Sequence, residues 1–147
     1  MNQGNKQYRK VQIKTANKGN LILLLYRGAL KFMKKAIEQL ESKDLEGKGN
    51  SLMRAQDIVL ELMYSLDDKM LGEGNPLAVN LQSLYLYAYR RLVHANVHMD
   101  PAPIEEVIAL LQNLLDAWEK VVANEGGGTD NGGPGGGGEK SSLVLTG

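Results

Sequence analysis

Apolar residues recur along this chain at helical spacing, and nowhere do they alternate at period two over a useful length, so the pattern predicts helices and no sheet. Four segments stand out. The first runs from about Lys18 to Ser42, with Ile22, Tyr26, Ala29, Met33, Ala36, Ile37 and Leu40 on its inner stripe and Asn17 placed to cap its start. The second lies between about Asp44 and Leu71, with Leu52, Ala55, Val59, Leu62, Met63 and Leu66 inward, and Gly47 and Gly49 weaken its first turns. Leu71-Gly72-Glu73-Gly74-Asn75 breaks that segment, and Pro76 suits the first turn of the third. Asp100-Pro101-Ala102-Pro103 closes the third and opens the fourth. Ile104, Val107, Ile108, Leu111, Leu114, Leu115, Trp118 and Val122 line the fourth segment's buried side. Short joints between four helices favour an all-α fold, an antiparallel up-down four-helix bundle.

The third segment carries more apolar surface than seating it in a bundle requires. At about 100° per residue, Leu77, Leu81, Leu84, Ala88, Leu92 and Ala95 form a stripe about 60° wide, enough to hold the helix in a core. Val79, Tyr85, Leu86, Tyr89 and Val93 lie beside it and widen the apolar arc to roughly 220°, against the arc of about 100° usual for a surface helix. Such a helix is either wrapped on most sides or keeps a face for a partner. Tyrosine suits the second arrangement, because its ring can be buried while its hydroxyl stays wet.

From Glu125 the composition changes. EGGGTDNGGPGGGGEK is dominated by glycine and cannot bury enough surface to offset its ordering entropy, so residues 125–147 are expected to form a disordered Gly-rich C-terminal tail on a domain spanning 1–124. No strand precedes these glycines and no helix follows them, which leaves the phosphate-loop reading without support. The N-terminal MNQGNKQYRK has no apolar core of a secretory signal, and the longest apolar run, Leu21 to Tyr26, is far too short to span a bilayer. With no cysteine and neither signal nor span, the chain reads as a protein of the cytosol.

Net charge is zero but lopsided. The first 35 residues hold nine Lys or Arg and no acid, whereas the rest holds eight basic residues against seventeen acidic ones. The basic residues are dispersed and no nucleic-acid motif accompanies them, so pairing with Glu105, Glu106, Asp116 and Glu119 of the fourth segment is expected rather than nucleic-acid binding. His94 and His98 have the i, i+4 spacing of a metal pair, but the Glu of a zinc hydrolase motif and a third ligand are missing. Asp67-Asp68 and Glu105-Glu106 are adjacent on a helix and point about 100° apart, so neither pair converges on one reacting atom. No catalytic residue, metal or cofactor is assigned.

Two stretches carry a family resemblance. One is Tyr8-x-x-Val11-x-x-x-Thr15-Ala16-x-x-x-x-Leu21-Ile22-x-x-Leu25-Tyr26-x-Gly28-Ala29. The other is Leu84-Tyr85-x-Tyr87-x-Tyr89-Arg90-Arg91-Leu92-Val93-x-Ala95-Asn96, followed by Ala117-Trp118, and Arg54-Ala55 with Ile58 and Leu62 adds to them. Over roughly residues 6 to 123 the chain resembles the flagellin-specific export chaperones of bacterial flagellar secretion. It departs from them at Asn17-Lys18-Gly19, where a Ser or Thr cap followed by Pro is usual, and at Arg27, where Asp or Asn is common. The resemblance implies a bacterial cytosolic helical bundle that is not an enzyme. Its client would be the C-terminal segment of flagellin, held unpolymerised for type III secretion, with the flagellar export gate as a further partner and no stable membrane insertion. Tyr85, Leu86, Tyr89, Val93 and Val79 would meet that client. The segment bearing Tyr8, Val11 and Ile13 would be an N-terminal arm that covers part of the same surface. A regulatory adaptor binding another cytosolic partner through this apolar face is the competing reading.

Overall fold

The computed structural model describes residues 18–130, as five helices with no strand among them. They are α1 (Lys18–Glu41), α2 (Leu45–Tyr64), the short α3 (Asp68–Gly72), α4 (Pro76–His98) and α5 (Pro101–Asp130). Tyr8, Val11, Ile13 and the expected cap Asn17 lie outside the described residues, as does the chain beyond Asp130. No helix among the described residues is long and apolar enough to cross a membrane.

Side chains at the joints set these limits. The turn after α1 passes through Lys43 at φ 65°, and Asp44 then caps α2 by accepting from the Gly47 N–H at 3.0 Å. Gly47 is there for space: a Cβ at this position would run into the Asp44 carboxylate and the Gln39 side-chain amide. The second segment, expected to continue to Leu71, stops at Tyr64. Ser65 Oγ donates to the Leu62 carbonyl at 2.6 Å and Asp67 accepts from the N–H groups of Lys69 and Met70, so local side-chain bonds end one helix and cap the next. Asn75 caps α4 through the Ala78 N–H at 3.0 Å with Pro76 in its first turn, and Met99, left-handed at φ 53°, ends it. Helix α5 is described as far as Asp130.

The four long helices enclose one core, in which α1 and α4 each pack against both α2 and α5. Met33, Leu52, Leu62, Leu92, Ile104 and Leu111 are fully buried in it, each contributing about 1.5–3 kcal/mol of transfer free energy. The inner stripes expected for α1, α2 and α5 are in place, with Ile37, Leu40, Met63, Ile108, Leu114 and Val122 half-buried at their edges.

On α4 the expected stripe is corrected. The buried set is Ala78, Leu81, Tyr85, Ala88, Leu92 and Ala95, while Leu84 is half-buried and Leu77 exposed. Steps of three and four residues hold one seam toward the core, as in bundle packing, and the alanines let neighbouring helices approach.

Candidate functional site: an apolar groove beside α4

Tyr85 does not lie on the open side of α4. It is 2% exposed, and its hydroxyl meets that of Tyr26 on α1 at 2.6 Å. The Trp118 indole N–H on α5 donates to Tyr26 Oη at 3.0 Å, which completes a polar chain across three helices. The rings are tilted against one another at centroid distances of 6.3 and 6.4 Å. Burial pushes the Tyr85 hydroxyl up to about 12 and that of Tyr26 higher still, so both are neutral donors at any physiological pH. Here the hydroxyl is satisfied inside the core rather than by water, which is why the wet-hydroxyl argument fails for Tyr85.

The rest of the expected set stays on one flank. Leu86 and Tyr89 are half-buried, with Tyr89 packed on the core cluster, and Val79 and Val93 are 36% and 37% exposed. Val97, which the sequence reading missed, continues the row at 68% exposure. Val79, Leu86 and Val93 are seven residues apart, and Val97 follows one turn after Val93, so these side chains form a single strip along α4.

Helix α2 supplies the facing wall. Lys48 Nζ donates to the side-chain and main-chain oxygens of Asn96 at 2.7 and 3.2 Å, and Gly49 also lies against Asn96 Oδ1. These contacts fix which flank of α2 meets α4. The same flank carries Gln56 and Leu60, with Met53, 56% exposed, at its outer rim. Met53 and Leu60 on α2 and Leu86, Val93 and Val97 on α4 therefore border the seam between these two helices on one flank.

The opposite edge of α4 is polar. Tyr87 Oη donates to Glu106 Oε2, and Arg91 Nε donates to Glu106 Oε1 at 2.8 Å. Those two bonds, the one from Tyr87 first, lower the Glu106 carboxyl below its usual range. His94 and His98 lie side by side on an exposed face, with ring centroids 4.2 Å apart and planes tilted by 40°. Among the described residues no group of three or more His, Cys, Asp or Glu is placed to hold a metal ion. Arg27, the departure noted in α1, pairs with Glu119 at 2.8 Å.

Residues 1–125 match the family model described as flagellar protein FliS. The chain belongs to the FliS family. It is 35% identical over 118 residues to the flagellar secretion chaperone FliS of Bacillus subtilis, covering 80% of this chain and 85% of that one. It is 36% identical to the FliS of Escherichia coli, covering 74% of this chain and 78% of its relative, and 36% identical to the flagellar secretion chaperone FliSB of Pseudomonas aeruginosa, covering 79% and 93%.

Proposed function

We propose that this chain is a non-enzymatic cytosolic chaperone that binds the C-terminal segment of flagellin in the groove between α2 and α4. In this account it prevents premature polymerisation and keeps the subunit competent for flagellar type III secretion. The observation that carries the reading is an apolar strip, Val79, Leu86, Val93 and Val97, left open along one flank of α4 on a FliS-family bundle. A disordered apolar segment suits such a strip. It wraps a large area, yet part of its contact energy goes into ordering, so it remains releasable. Helix-in-groove docking fits the spacing of the strip.

We read the scaffold as an up-down antiparallel bundle. Gln39 near the end of α1 meets Ser51 near the start of α2, and Gly28 faces Ile58 further along, which supports opposed directions for that pair. The loaded complex is then handed to the export gate.

Isothermal titration of the full chain with flagellin, intact and lacking its C-terminal segment, tests the reading. Intact flagellin is expected to bind and the truncated form to lose binding. Equal affinity for the two would overturn the assignment of the client segment.

A further inference from the structure

The chain holds two histidines, and both fall on α4, four residues apart. Both are exposed, with ring centroids 4.2 Å apart and planes tilted by 40°. Among the described residues neither imidazole takes part in a hydrogen bond or an ion pair, so no protein group competes for the ring nitrogens. At about 100° per residue, His94 and His98 lie between Val93 and Val97 of the open strip on one side and Arg91 of the polar edge on the other. The Arg91 charge is already met by Glu106 at 2.8 Å. Arg90, one turn before His94, is exposed, and its long side chain can carry its charge away into water.

Imidazole nitrogen suits Cu2+, Ni2+ and Zn2+, whereas Mg2+ and Ca2+ take oxygen ligands. An ion bound at about 2.0–2.1 Å by each of two nitrogens needs them roughly 3 Å apart. Exposed rings with centroids at 4.2 Å can reach that spacing by rotation about χ1 and χ2, with no movement of the helix. Once one imidazole has bound, the other acts at the high effective concentration of a group on the same rigid helix. Among the described residues no third His, Cys, Asp or Glu completes the set, so water fills the remaining positions. That is the ligand set of an open, exchangeable site rather than of a closed structural one. We infer that His94 and His98 chelate a first-row transition ion, Cu2+ in preference to Ni2+ and Zn2+, and that the ion clamps the last turns of α4 at the rim of the open strip. The preference follows the general order of divalent affinities for nitrogen sites. The clamp follows from linkage, because an ion that needs the helical spacing stabilises the helix that provides it.

The probe is the metal alone, added as Cu2+, Ni2+, Zn2+ or Mg2+ to the tag-free full chain at pH about 8, because binding requires the neutral ring. Isothermal titration is expected to show a saturable Cu2+ site on each chain, weaker binding of Ni2+ and Zn2+, and none of Mg2+. Cu2+ affinity should fall about tenfold or more in H94A and in H98A. The R90H/H98A variant moves the pair back by one turn at the same four-residue spacing and should recover affinity to within a few-fold of the parent. Saturating Zn2+ should slow amide exchange at residues 94–98 in the parent and leave H94A/H98A unchanged. No flagellin is present, so the outcome is separate from the client assignment. Absent Cu2+ binding, equal binding by H94A/H98A and the parent, or failure of R90H/H98A to recover it would each overturn the inference. So would unchanged exchange in the parent, or a metal-dependent dimer in sedimentation, which would mean that a second copy completes the site.

Discussion

The hydroxyls of Tyr26 and Tyr85 meet at 2.6 Å in the core and tie α1 to α4, with the Trp118 indole from α5 donating to the same Tyr26 oxygen. A buried polar chain of this kind is favourable only while every member has a partner. Tyr85→Phe removes one hydroxyl but leaves Tyr26 Oη accepting from Trp118. Urea unfolding is expected to show a loss of about 0.5–1.5 kcal/mol with unchanged helicity. Tyr85→Ala also removes the ring and is expected to cost about 3–5 kcal/mol. Client affinity in Tyr85→Phe should match the parent, because no face of this residue is open to a partner.

The same pair makes the bundle sensitive to alkali. Both hydroxyls ionise less readily in the folded protein than the ordinary value of about 10 that applies when the chain is unfolded. Above about pH 10 the unfolded chain releases protons that the folded one retains, so stability is intact below that value and falls as pH rises toward 12. The slope is about 1.4 kcal/mol per pH unit for each buried hydroxyl. Denaturant midpoints of the parent between pH 9 and about 11.5 should fall more steeply than those of Tyr26→Phe/Tyr85→Phe. Parallel curves would contradict the burial argument.

Lys48 is buried, at 4% exposure. Its ammonium donates to both oxygens of Asn96 in the last turn of α4, where the helix dipole also favours positive charge. Lys48→Met keeps most of the stem but removes these bonds, with an expected cost of about 1.5–3 kcal/mol in urea unfolding. The α2–α4 contact at this end should loosen with it, read as faster amide exchange at Asn96 to His98.

Periodicity placed the long helices and most of the core because large aliphatic residues on α1, α2 and α5 mark their own buried side. On α4 it misplaced the seam by one position. Ala78 and Tyr85 hold the core places expected of Leu77 and Leu84, because close helix approach rewards a small side chain and because Tyr26 offers an internal partner for a hydroxyl. Neither cause is local to α4, so no window along it could register them. The break at Ser65–Asp67 was, by contrast, carried by residues of strong turn and cap preference, and was lost within a longer apolar period. Four of the site residues expected on α4 do lie on one flank. Met53, Leu60 and Val97 were missed, since pairing two helices into a groove requires the register that Lys48 and Asn96 set.

The central claim is that the strip beside α4 binds the client without holding up the fold. Val93 is well exposed and Leu86 half-buried on that strip, so Leu86→Asp/Val93→Asp should leave the helical bundle folded. The direct measurement is flagellin affinity of this double variant by isothermal titration, with circular dichroism and thermal unfolding recorded on the same sample. A loss of affinity of about a hundredfold or more with helicity retained is the predicted result. Parent-like affinity in a folded variant would contradict the account, and so would an unfolded variant, which would return these residues to the core.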